Sequence, residues 1–202
     1  MDLAGLLAVS LLVILVLGDW RHFTRWTLPS GNYGCPVAYA EDALSNCSLS
    51  DLPPRFDANG LLPLDHGMAR HFPDEQRILF APRTHQSLSR FRTAWPLKGV
   101  LELDEAGGTL RLRCTKRMPW SSALISLLWL GLVGVGTLVF VVKFLLAGGA
   151  VSLSSLMLGA GIVGVGALVF VFGLVTIAMA YRLEDQRLML AFNELKAELT
   201  RS

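Results

Sequence analysis

Three apolar stretches interrupt an otherwise mixed chain: Leu3 to Gly18, Ser121 to Val142 and Ala147 to Tyr181. The second holds 22 uncharged residues and the third 35, both beyond the roughly 18 that argue for a membrane span. At about 1.5 Å per helical residue each covers a hydrocarbon core about 30 Å thick. The first run is shorter, 16 residues, and reaches only about 24 Å, so it predicts a span of minimal length helped by Trp20 at the interface. Its start, MDLAG, carries no basic residue, and no small-x-small cleavage site follows. It therefore reads as a retained helix and not as a cleaved signal peptide. The pattern predicts spans over residues 1–18, 119–146 and 150–181.

The second and third spans nearly repeat each other, GLVGVGTLVFVV from Gly131 and GIVGVGALVFVF from Gly161. Glycines inside an apolar helix let another backbone approach closely. Gly131, Gly134, Gly136, Gly161, Gly164 and Gly166 are thus the expected helix-packing positions. A turn at Ala147 to Ala150 makes the two helices antiparallel neighbours and sets Gly134 level with Gly164. Ion-coupled transport through broken helices is the rival reading of such glycines, but it needs ionisable groups near the bilayer centre. Between Ser121 and Tyr181 the only ionisable side chain before Tyr181 itself is Lys143, close enough to the end of its span to snorkel.

Between the first two spans the polarity pattern changes twice. Residues 19–76 are dense in Pro, Gly, Asn, Asp and Ser and predict an irregular segment with one short helix near Ala38 to Leu44. Residues 77–118 alternate and predict a small antiparallel sheet, with strands at Arg77 to Phe80, Phe91 to Trp95 and a hairpin, VLELD then TLRLRC. Pairing Asp104 with Thr109 sets Leu103 against Leu110 and Glu102 against Arg111, leaving one leucine face and one charged face. Two strands alone are marginal in water, so the sheet must gain strands or lie on a neighbour. After the third span, residues 182–202 carry Leu188, Phe192, Leu195 and Leu199 at helical spacing, an amphipathic helix expected to dock on the strands or on a partner. Asn193 and Lys196 read as solvated positions of that helix, and Glu194 with Glu198 as like charges.

Composition narrows the class. A chain of 202 residues with 52% hydrophobic and 17% charged residues has no soluble core large enough to hide two such runs. The expected fold class is an integral membrane α-helical protein with three transmembrane helices and a small inner-side α+β domain containing an antiparallel sheet. Arg21, Arg25, Lys116, Arg117, Arg182 and Arg187 flank the spans, whereas the 147–150 turn is uncharged. By the positive-inside rule the N-terminus lies outside and the sheet and C-terminus inside, in a membrane such as the bacterial inner membrane.

Candidate chemistry is sparse. Cys35, Cys47 and Cys114 match no compact metal box, and an inner location disfavours a disulfide; only an inverted topology would call for a Cys35–Cys47 bridge. His66 and His71 lie five apart beside Gly67 and Pro73, a poor helical metal pair. His22 is an interfacial residue, and His85 neighbours Arg83, Arg90 and Arg92. With Lys116 and Arg117 these arginines are candidate contacts for lipid headgroups or a partner. No GxSxG, HExxH, phosphate loop or CxxCH is present, and a net charge of +2 gives no support for nucleic-acid binding.

No catalytic residues and no metal ligands are assigned, and no cofactor is expected, though the glycine faces leave room for a lipid, a quinone or a pigment. The sequence predicts an accessory or structural subunit that stabilises a larger membrane complex, with other membrane subunits and lipids as partners. The alternatives are a membrane-anchored enzyme or cofactor protein drawing on His66, His71 and the arginines, and a transient assembly or transport factor.

Overall fold

The computed structural model describes residues 3–45, 47–83, 94–106, 109–149 and 151–201. Its elements are α1 (Leu3–Phe23), α2 (Leu28–Asn32), β1 (Cys35–Ser45), β2 (Leu61–Pro63), β3 (Gly67–Phe72), β4 (Arg77–Pro82), β5 (Lys98–Ala106), β6 (Thr109–Met118), α3 (Trp120–Leu146) and α4 (Leu153–Thr200). Three helices, α1, α3 and α4, are long and apolar enough to cross a membrane. The chain forms two compact units, Met1–Ser122 with Arg182–Ser202, and Ala123–Tyr181.

The first unit is built on a six-stranded antiparallel sheet in the order β1-β6-β5-β4-β3-β2. Half of it comes from the segment that composition predicted to be irregular. There the turn formers are the connectors: Pro53–Arg55 makes a short 3-10 turn, and Asp57 Oδ1 accepts from the N–H groups of Asn59 and Leu61 to enter β2. The predicted helix at Ala38 to Leu44 is instead part of β1. Its Ala and Glu residues favour a helix weakly, but full-length pairing with β6 and burial of Leu44 against Leu110 outweigh propensity. Of the predicted strand Phe91 to Trp95, residues 91–93 lie outside the described residues, and Trp95 sits in a bend.

The β5–β6 hairpin has its leucines on one face as predicted, but in a different register. Ala106 pairs with Thr109, so Leu103 faces Leu112 and Glu102 faces Arg113, a shift of two residues from the predicted pairing. The shift is even, so every side chain keeps its face. The ladder extends to Glu105 and Ala106, which the predicted loop EAGG had left unpaired.

That leucine face, continued by Ile78 and Phe80, is covered by the C-terminal part of α4. Leu188, Ala191, Phe192, Leu195 and Leu199 are all buried. The Phe80 and Phe192 rings meet at a tilt with centroids 5.7 Å apart, and the Phe80 ring fills the space where Gly99 lacks a side chain. Polar ties fix the helix along its length: Lys116 to Asp185, Lys196 to Asp42 at 2.5 Å, and His66 to Glu194. Lys196 is therefore an ion-pair residue and not merely solvated. Glu194 and Glu198 each have their own partner, His66 and Arg201. The Lys196 ammonium holds the Asp42 carboxyl below its usual range.

In the second unit, α3 and α4 form a helical hairpin whose turn runs past 150, since α4 begins only at Leu153. Large side chains of α3 fill glycine gaps in α4. A Cβ at Gly173 would fall 1.9 Å from the Trp129 ring, one at Gly159 2.5 Å from the Phe144 ring, and one at Gly166 2.5 Å from Thr137 Oγ1. Gly134 of α3 receives Phe170 in return. The later turn moves the level of Gly134 from Gly164 to Phe170.

Candidate functional site

The most elaborate polar structure lies where α1 meets the sheet, within the first unit. The end of α1 and the segment through Gly34 fold over the face opposite the leucines, above Leu79, Lys98 and Val100. Gly31 admits the Leu79 side chain, and Gly34 takes φ +106° to enter β1 against the Met118 carbonyl.

Asp19, in the last turns of α1, accepts from the Tyr33 hydroxyl at 2.5 Å through one oxygen. Its other oxygen accepts from Ser121 N at 2.9 Å and Ser121 Oγ at 2.5 Å. The carboxylate thus satisfies a first-turn N–H of α3 and places negative charge at a helix N-terminus, which favours it. The bond to Asp19, reinforced by burial, pushes the Tyr33 phenol up to about 12. The Tyr33 ring also meets His22 edge-on at 4.5 Å.

Lys98 is 2% exposed and has no carboxylate partner among the described residues. Its Nζ donates to the Phe23 carbonyl, to the Arg25 carbonyl at 3.0 Å and to Ser30 Oγ at 2.7 Å. The Phe23 ring lies 4.9 Å away. The Phe23 carbonyl ends α1 and lacks an intrahelical donor, and Arg25 follows two residues on, so the ammonium acts as a C-terminal cap. Burial pushes Lys98 down to about 8.

A lysine beside a serine is also the composition of some hydrolytic dyads. Here Ser30 is fully enclosed and its hydroxyl donates to the Arg25 carbonyl, while three acceptors hold the ammonium protons. The pair is arranged to hold α1, not to abstract a proton.

The histidines singled out by sequence are separated. His66 is exposed in the β2–β3 turn, tied to Glu194. His71 is buried in β3 with its ring 5.1 Å from Phe56, and burial lowers its pKa. It borders a shallow concavity of about 270 Å³ with Pro53, Phe56 and Phe72. All three cysteines are free thiols; burial pushes Cys114 up to about 11 and raises Cys47. Among the described residues no group of three or more His, Cys, Asp or Glu is placed to hold a metal ion.

Of the basic candidates, Lys116 is occupied by Asp185, and Arg117 donates to the Asn32 carbonyl at 2.9 Å and the Gly34 carbonyl at 3.2 Å. Arg83 is exposed; Arg90 and Arg92, with His85, lie outside the described residues. Of the six glycines, Gly134 and Gly166 lie in the hairpin contact, whereas Gly131, Gly136, Gly161 and Gly164 face open space. Sequence reasoning missed Gly159 and Gly173, which fall seven residues either side of Gly166, a heptad step that was readable. It also missed Asp19, Tyr33, Ser30 and Lys98, which carry no motif.

These features define a helical protein with three candidate membrane spans and a separate antiparallel sheet domain. No family model, curated protein or solved structure matches the chain.

Proposed function

We propose that the chain is an accessory or structural subunit of a larger membrane complex, bound to its neighbours through the outer faces of α3 and α4. The supporting observation is that Gly131, Gly136, Gly161 and Gly164 have nothing beyond their immediate neighbours and their own helix backbone within 4 Å of where a side chain would start. Lipid tails gain little from such gaps, whereas another helix packs into them. The flanking charges favour an N-terminus outside and a sheet domain inside, as in a bacterial inner membrane.

Extraction in several mild detergents followed by native mass spectrometry tests the reading. Stoichiometric membrane partners are the expected result, and a lone monomer in every detergent overturns it. An absorption spectrum of the same preparation separates a protein neighbour from a quinone or pigment lying on those faces.

A further inference from the structure

We propose that the junction between α1 and β1 binds the headgroup of an anionic phospholipid, with Arg21 and Arg25 as the phosphate ligands. The proposal rests on reading α1 as a membrane span, which places Arg21 in its last turn and Arg25 just beyond. Trp20 and Trp26 flank the two arginines, as suits the headgroup level.

Charge distribution carries the argument. Several cations of the first unit meet acids: Arg77 with Glu102, Arg113 with Glu41, Lys116 with Asp185, Lys196 with Asp42. Beneath the junction Lys98, Arg70 and Arg117 do not. Lys98 donates only to neutral oxygens of Phe23, Arg25 and Ser30. Arg70 donates to the Trp26 carbonyl at 2.5 Å, and Arg117 to the carbonyls of Asn32 and Gly34. The sheet register puts Arg70, Lys98 and Arg117 on one face, beneath the junction. Arg70 Nε and Arg117 Nε are the buried side-chain polar atoms left without a partner among the described residues.

Asp19 and Glu102 are the nearby acids; both oxygens of Asp19 are engaged by Tyr33 and Ser121, and Glu102 is paired with Arg77, which also donates to Asn32 Oδ1 at 2.9 Å. Arg21 and Arg25 are exposed, and their side chains meet no acid among the described residues. The junction thus gathers positive charge that the chain leaves uncompensated. A phosphate at the membrane surface supplies the missing sign, and guanidinium groups suit its geometry.

The test compares the full chain, an R21Q/R25Q variant and a charge-matched R111Q/R113Q control, each reconstituted in phosphatidylcholine with and without phosphatidylglycerol. Lipids retained after release are counted by native mass spectrometry. Phosphatidylglycerol should be enriched on the full chain and the control, and that enrichment should fall roughly thirtyfold in R21Q/R25Q, as expected for two juxtamembrane arginines. Equal enrichment in R21Q/R25Q, an equal loss in the control, or displacement of the lipid by inorganic phosphate overturns the proposal. Carbonate extraction of the vesicles checks insertion separately: release of the chain sinks the span reading itself, whereas an inserted chain without anionic preference sinks only the headgroup site.

Discussion

Lys98 illustrates what a single position conceals. It lies two residues before the predicted strand VLELD, and in the structure it opens β5 on the face of Val100 and Glu102. Nothing local says that the end of α1 will fold over that position, because the closing contacts come from residues 23–30, far along the chain. Burial has a measurable consequence. The folded value of about 8 lies below the ordinary 10.5, so between these pH values the folded chain binds fewer protons than the unfolded one. Stability should therefore rise as pH goes from about 8 to about 10.5, by at most about 3 kcal/mol, and be lowest below pH 8. Denaturant unfolding of the detergent-solubilised chain, compared with K98M, checks this. The variant should lack the rise, and an identical rise in both would refute the assignment.

At the level of elements, periodicity was the reliable signal and propensity the weak one. The stripe Leu188, Phe192, Leu195, Leu199 was legible and is buried as a stripe. The leucine face of the hairpin was legible too, even with its register displaced, since an even slip preserves the side. β1 was not, because AYAEDAL carries helix-forming residues and only its pairing with β6 makes it a strand. Leu195→Ala should cost about 3 kcal/mol of unfolding free energy, the usual range for an enclosed leucine. In the helical hairpin the glycines divide by role. Gly173→Ile should lower the thermal stability of the isolated chain in detergent, since Trp129 occupies the space. Gly161→Ile should leave that stability unchanged while reducing recovery of partners. Equal effects of the two substitutions on stability would contradict this division.

At the scale of the whole molecule, the apolar helices followed directly from run length, whereas the sheet's full extent did not. Sequence showed strands from Arg77 onward, yet β1, β2 and β3 are drawn from the turn-rich stretch, where short strands are hidden among their own connectors. The cover of the sheet was foreseen only as one of two destinations for the last helix. A chain ending at Tyr181 should lose the protease resistance of its sheet unit while keeping α3 and the apolar part of α4 in the membrane fraction. Limited proteolysis of the truncated chain in membranes reads both, and retained resistance would show that the helix cover is dispensable.

The separation in sequence between strands and cover also orders events in time. A ribosome delivers the chain from its beginning, so Leu101, Leu103, Leu110 and Leu112 emerge before α3 and α4 are synthesised, and the residues that shield them come later. Throughout that interval a nascent sheet offers a sticky leucine surface with nothing of its own to lay upon it. The sheet thus stays uncovered until α3 and α4 have been made, and its leucine surface is exposed to aggregation for that interval.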